Sequence, residues 1–192
     1  FSVKTFENLQ NDDNEIKEVV EEANLKVPFM RPKEFASDTS GSYEVIIHAI
    51  NYYENNGYCP DVIIFLQPTS PFRTADHIKA ALKLYDNDID MVVSVKETKS
   101  NPYYLLFEED NLGYLNKSKL GNFKRRQDCP KVWELNGALY IINVNSLKKQ
   151  KIGEFEKIKK YEMDEMSSHD IDTLFDWKVA ESIINNLENK YL

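Results

Sequence analysis

The chain has 192 residues, enough for one domain with a sizeable core, and its 42% hydrophobic and 29% charged content is that of an ordinary globular protein rather than a disordered one. Its net charge of −8 argues against nonspecific nucleic-acid binding, which needs basic patches to neutralise phosphate, but leaves room for a nucleotide site built from a few local cations. Two cysteines, Cys59 and Cys129, have no metal-ligand or disulfide-framework spacing and read as reduced thiols of a cytosolic protein. No run approaches the roughly 18 apolar residues that span a membrane, and no signal peptide is visible.

In chain order, Asp12, Asp13 or Asn14 caps a helix with Ile16, Val19, Val20 and Ala23 on one face, and Asn24 stops it. Leu25 to Met30 is a short extended piece broken by Pro28, followed by Arg31-Pro32 and a loop-forming Ser/Asp/Thr cluster up to Thr39. Tyr43, Ile46, Ile47, Ile50 and Tyr53 define a second helix, closed by Asn55-Asn56-Gly57. Val62 to Leu66 is an unbroken apolar run that reads as a strand buried on both faces. It leads into Gln67-Pro68-Thr69-Ser70-Pro71-Phe72-Arg73, a loop stiffened by two prolines, and then into a helix from Thr74 to Tyr85. Polar groups are thus held at the carboxyl end of a strand, where open α/β sheets bind ligands.

Met91 to Val95 reads as another buried strand, and strand–helix–strand suggests a parallel βαβ unit. Tyr103–Phe107 and Leu112–Leu115 flank a Glu108–Asn111 turn as a hairpin, and Lys117 to Gln127 reads as a solvated basic loop. Ala138 to Ile142 is a continuous apolar strand; Asn136-Gly137 before it suits either a site or a simple turn. A short helix or turn over Ser146–Gly153 and a strand over Lys157–Met163 precede the last helix. That helix opens at Thr173 with a capping box to Asp176 and carries Leu174, Trp177, Ala180, Ile183, Ile184 and Leu187 on one face. If Asp170–Asp172 is extended, both carboxylates point to one side and repel unless a cation sits between them, which suits a hard divalent ion shared with phosphate oxygens.

Four blocks resemble one family in the same order. Leu66-Gln67-Pro68-Thr69-Ser70-Pro71-Phe72-Arg73 is similar to the L-Q-P-T-S-P-x-R signature of the CMP-N-acylneuraminate synthetases. Phe29-Met30-Arg31-Pro32…Ala36-Ser37-Asp38-Thr39…Ser42 resembles their nucleotide-side stretch, and Arg126-Gln127-Asp128-Cys129-Pro130…Asn136-Gly137-Ala138-Leu139-Tyr140 their sugar-side block. Ser168-His169-Asp170-Ile171-Asp172-Thr173 is similar to their metal-binding segment.

The resemblance implies a mostly parallel α/β sheet with helices on both faces, nucleotide-diphospho-sugar-transferase-like and Rossmann-like. It also implies one domain over residues 1–192, with 97–135 as an inserted hairpin region for dimerisation and substrate. The implied reaction joins CTP to the anomeric hydroxyl of an acylneuraminate-like nine-carbon acid, giving a CMP-sugar and pyrophosphate in a cytoplasmic homodimer. Asp170 and Asp172 are the implied catalytic residues and ligands of Mg²⁺ (or Mn²⁺). Arg31 and Ser42 are the implied nucleotide contacts, and Gln67, Thr69, Ser70, Arg126, Gln127, Asn136 and Tyr140 the sugar contacts; an arginine such as Arg126 suits a sugar carboxylate. The family's N-terminal strand and Gly/Lys loop, which cradle the triphosphate, have no counterpart expected here: Phe1 to Gln10 holds no glycine and no G-x-G occurs anywhere. The rival expectations are a non-catalytic or truncated relative acting as a sugar-binding or assembly subunit, and a cytidylyltransferase for another acidic sugar, a legionaminic-type acid or Kdo.

Overall fold

The computed structural model describes residues 14–22, 24, 27–30 and 42–188. The fold is α/β. One four-stranded sheet has the order β1-β5-β2-β6, formed by Val62–Phe65, Trp133–Asn143, Met91–Glu97 and Ile158–Glu162 respectively. Strand, helix and strand do alternate over residues 62–97, but β5 lies between β1 and β2, so the two strands of the expected unit are not neighbours. Among the described residues β1 is an edge strand, and all four of its residues are half-buried. The expectation of a strand buried on both faces is therefore corrected: its apolar run matches a fully covered strand, but its four residues are only half-buried among the described residues.

The chain divides into two compact units. The first comprises residues 1–64, 87–91 and 141–158. Helix α1 (Asn14–Glu22) buries Val20 and ends at Asn24, whose φ of 60° and N–H bond to the Glu21 carbonyl (3.0 Å) make the left-handed stop an asparagine tolerates. Residues 27–30 form no regular strand, and the expected Ser/Asp/Thr loop lies outside the described residues. Helix α2 (Ser42–Asn55) buries Ile46 and Ile50 and terminates at Gly57, φ 80°. Phe29 stacks against Tyr52 at 4.4 Å between ring centroids, and the Tyr52 hydroxyl donates to the Pro28 carbonyl at 2.9 Å.

Asn143 opens the short helix α4 (Val144–Leu147), accepting from Asn145 and Ser146 amides while its own amide donates to the Asn87 and Ile89 carbonyls. Asp90 accepts from the Ser146 hydroxyl at 2.6 Å and from the Glu156 and Lys157 amides at 3.2 and 2.9 Å. The Ser146 hydroxyl first, then the Lys157 amide, hold its carboxyl below the usual aspartate value. A group depressed on folding contributes stability that is full above its unfolded value and is lost as pH falls through the folded one. Chemical denaturation from about pH 5 down to about pH 2 is expected to show stability falling at the acid end, with a shallower fall in Asp90→Asn. An unchanged slope in that variant would remove Asp90 from the account.

The second unit comprises residues 65–86, 92–140 and 159–192. Helix α3 (Ala75–Leu82) begins at Thr74, whose N–H donates to His77 Nδ1 at 3.2 Å. It is shorter than expected: the chain continues to Tyr85 as turns, with Leu84 and Tyr85 amides bonded to the Ala81 and Leu82 carbonyls. The expected hairpin exists, shifted along the chain. Strands β3 (Phe107–Glu109) and β4 (Leu115–Lys117) pair antiparallel, with Glu108 opposite Asn116. Residues 102–105 form a turn instead of strand, and the register is set by Asp110, whose side chain accepts from the Leu112 and Tyr114 amides and from the Asn116 amide group.

Helix α5 (Leu174–Glu188) starts with the expected box: Thr173 N–H and Oγ1–H donate to Asp176 Oδ2 (2.8 and 2.6 Å), and Asp176 N–H points back to Thr173 Oγ1 (3.3 Å). Its apolar stripe is not a core face, however. Leu174 is 81% and Trp177 53% exposed, while Ala180 is buried. Among the described residues both cysteines are free thiols, and no helix is long and apolar enough to cross a membrane.

Candidate active site

The site lies within the second unit, and its base is a buried polar lattice. Ser94, on the otherwise apolar β2, donates its hydroxyl to Asn136 Oδ1 at 2.6 Å and accepts from the Leu139 amide at 2.8 Å. Asn136 Nδ2 donates to Ser168 Oγ at 2.8 Å, and Asn136 Oδ1 also accepts from the Ala138 amide at 3.2 Å. Three side chains from distant parts of the sequence thereby lock β2, β5 and the segment before Asp170 together. All three are buried, so each polar group needs its partner.

The proline-stiffened loop is fixed to this base. Arg73 Nη1 donates to the Gln67 carbonyl (3.0 Å) and to the Ala138 carbonyl (2.7 Å), so the guanidinium braces the loop against β5. Burial pushes Arg73 below its ordinary pKa. On the loop's other side, the Ile171 amide donates to the Thr69 carbonyl at 2.9 Å and anchors the aspartate segment beside it.

Above these braces opens a cleft of about 500 Å³ lined by Gln67, Lys96, Glu134, Leu135, Asn136, Gly137, Tyr140, Glu165, Ser168, His169, Asp170, Asp172 and Asp176. Asp170 and Asp172 both line it and Ile171 does not, as an extended Asp-Ile-Asp stretch requires. Asn136-Gly137 is no simple turn: both residues lie inside β5. Gly137 has φ 71°, and a Cβ there would meet Gln67 Oε1 at 2.1 Å and Asp170 Oδ2 at 3.7 Å. Only glycine lets the Gln67 amide pass so close to the strand. Gly137→Ala is expected to displace Gln67 and to cost about 1–3 kcal/mol of stability. Denaturant titration checks the cost, and a variant as stable as the parent would mean that the backbone relaxes freely.

Five carboxylates line the cleft, those of Glu134, Glu165, Asp170, Asp172 and Asp176, against one lysine, Lys96, and no arginine. Glu134 pairs with Lys96 (3.2 Å), Glu165 pairs with Lys99, and Asp176 is engaged by Thr173. Asp170 is different: Oδ1 is buried and has no hydrogen-bond partner. Burial first, and the Asp170 charge second, raise the Tyr140 phenol above its ordinary pKa. Among the described residues no group of three or more His, Cys, Asp or Glu side chains could hold a metal ion alone. The donor set nonetheless fits Mg²⁺, a hard ion that takes one or two carboxylates and completes its shell with substrate phosphate and water. A buried carboxylate oxygen without a donor is the feature such an ion satisfies. His169 Nε2 lies 2.9 Å from the Asp176 carbonyl, which can only accept, so that nitrogen carries the proton and is not a ligand atom.

Of the residues singled out from sequence, Gln67, Asn136, Tyr140, Asp170 and Asp172 meet in the cleft. Asn136 has both ends of its amide engaged in the lattice. Ser70 is buried with its hydroxyl unpartnered, whereas Thr69 is half-buried; neither lines the cleft. Arg126 and Gln127 sit on an exposed 3₁₀ turn, Arg126–Asp128, away from the lining. Arg31 lies outside the described residues, and Ser42 is the first residue of α2, in the first unit. Lys96, Glu134 and Ser94 were not singled out; a serine and a lysine at the end of an apolar strand were the available signal.

A cytidylyltransferase family model matches residues 3–190, and the chain belongs to that family. The chain is 31% identical over 186 residues to the post-translational flagellin modification protein B of Campylobacter coli, covering 95% of this chain and 79% of that protein. It is 28% identical to the CMP-N,N'-diacetyllegionaminic acid synthase of Legionella pneumophila, with 92% and 76% covered. To the N-acylneuraminate cytidylyltransferase of Escherichia coli it is 33% identical over 157 residues, 80% of this chain but 36% of the longer relative. In fold it resembles a CMP:2-keto-3-deoxy-manno-octonic acid synthetase solved with CTP (TM-score 0.58, 13% identity, 94% of this chain and 79% of the other).

Proposed function

We propose that the protein transfers CMP from CTP to the anomeric hydroxyl of an acylneuraminate-like nine-carbon acidic sugar, releasing pyrophosphate. The observation that carries this reading is the meeting of Gln67, Asn136, Tyr140, Asp170 and Asp172 around one cleft in a cytidylyltransferase chain. The sugar hydroxyl attacks the α-phosphorus in line and the bond to pyrophosphate breaks. Asp170 and Asp172 would hold Mg²⁺ (or Mn²⁺), which when bound offsets phosphate charge. The chain supplies position: Gln67 is held by the Arg73 brace to meet sugar hydroxyls, and Tyr140, kept protonated by burial and by Asp170, donates a hydrogen bond. Thr69, Ser70, Arg126 and Gln127 are assigned to the sugar side and Arg31 and Ser42 to the nucleotide side. We place the reaction in the cytoplasm and in a homodimer, with residues 97–135 toward the partner.

A legionaminic-type sugar is the second reading. It is supported by the match to the legionaminate synthase, which covers 92% of this chain, against 80% for the E. coli acylneuraminate enzyme. Pyrophosphate release is to be measured with CTP, Mg²⁺ and either N-acetylneuraminate or N,N'-diacetyllegionaminate. Release that needs all three components, stops with EDTA and returns with Mg²⁺ is the expected result, and the faster sugar separates the two readings. No release with any acidic sugar would overturn both and favour a sugar-binding or assembly subunit.

A further inference from the structure

We infer that Lys96 is the residue that recognises the carboxylate of the acidic sugar, and that Glu134 holds its ammonium in place for that task. The inference rests on the proposed CMP transfer and names the group that reads its sugar's charge.

Burial along β2 is complete through Val95 and only partial at Lys96, so the strand delivers this side chain from the core into the cleft. Its Nζ lies 3.2 Å from Glu134 Oε1, on the neighbouring strand β5, and both residues line the cleft. The pair is part-exposed, at 35% and 49% of the two side chains, so solvent screens it and its ammonium remains open to a ligand. An ammonium has three donors, and one carboxylate partner leaves others free.

Charge selects the ligand. Lys96 is the one lysine or arginine among the described residues of the lining, against five carboxylates. A sugar carboxylate is repelled by those five carboxylates, and its single negative charge matches a single lysine. A triphosphate, with several charges, is not matched by one ammonium. The same cleft holds Gln67, Asn136 and Tyr140, the sugar-side candidates, so an anion at Lys96 belongs to the same ligand. Arg126, the arginine with the right chemistry, does not line the cleft.

The test is a cycle between protein and ligand. Dissociation constants of N-acetylneuraminate and of its C1 carboxamide are measured by calorimetry with Mg²⁺ and a non-hydrolysable CTP analogue. The parent protein is expected to prefer the acid by about 10- to 100-fold, the range of a charge-assisted hydrogen bond. In Lys96→Met the preference falls to about twofold or less while carboxamide affinity holds, Lys96→Arg restores part of it, and KM for CTP stays unchanged. Lys96→Gln serves the same purpose if the methionine variant folds poorly. A full preference surviving in these variants overturns the inference, as does equal weakening of acid and amide, which would mark Lys96 as scaffolding. A preference lost in Arg126→Gln but not in Lys96→Met would assign the carboxylate to Arg126 and overturn it too. A parent that binds neither compound and releases no pyrophosphate with any acidic sugar would overturn the proposed function, and this inference with it.

Discussion

Asp170→Asn is expected to lower kcat/KM for CMP transfer by about 10³-fold while leaving stability within about 1 kcal/mol of the parent. The two effects part because the Asp170 carboxylate does little for the fold. Its Oδ1 is buried and accepts no hydrogen bond, so the substitution breaks no hydrogen bond at that oxygen. An isosteric amide removes the charge and keeps the shape. A second readout is independent of turnover: the Tyr140 phenol, raised by burial and then by the Asp170 charge, should titrate at lower pH in the variant by absorbance, though burial still keeps it above the ordinary value. A variant that keeps parental activity, or that unfolds, would remove Asp170 from the chemical role and return it to the scaffold.

Asn136→Ala is expected to cost about 3 kcal/mol by denaturant titration, the largest stability effect in the cleft. The deletion leaves the Ser168 hydroxyl and the Ala138 amide without the partners they have in the parent, in surroundings closed to water. It also leaves a cavity. Ser94→Ala should cost less, about 1–2 kcal/mol, because the Leu139 amide is the main group it strands. Since the residues share one hydrogen bond, the double variant should fall short of the sum of the two costs. Strict additivity would show that Ser94 and Asn136 act separately. Activity should fall as well, because Ser168 precedes Asp170 by two residues and is fixed by the Asn136 amide.

Local chemistry was readable where the physics is local. Thr173 and Asp176 cap α5 as their spacing requires, and Asn24 and Gly57 stop helices through backbone angles that other residues resist. The Asp-Ile-Asp alternation likewise put two carboxylates on the cleft. What failed depended on neighbours far along the chain. An apolar run does not reveal how deeply its neighbours cover it, so β1 was read as buried on both faces when its four residues are half-buried. A helical stripe does not reveal whether a partner covers it: Leu174 and Trp177 lie on the apolar face of α5 and are exposed. Asn136 and Ser94 are 42 residues apart, and nothing in either local sequence announces their bond. The Arg73 brace to Ala138, 65 residues away, was equally hidden, and it makes the motif's arginine a fastener.

That fastener has a consequence for how such a protein diversifies. One guanidinium nitrogen ties the loop backbone at Gln67 to the strand backbone at Ala138, without using any side chain that faces a substrate. Holding the frame and touching the ligand are therefore tasks of different residues. Lys96, Glu134 and Leu135, part-exposed on the rim, can be exchanged at small cost to the fold, whereas Arg73, Ser94 and Ser168 cannot. A library aimed at new sugars belongs at the first three positions, and sequence drift there offers a route to altered sugar preference without a detour through unstable intermediates.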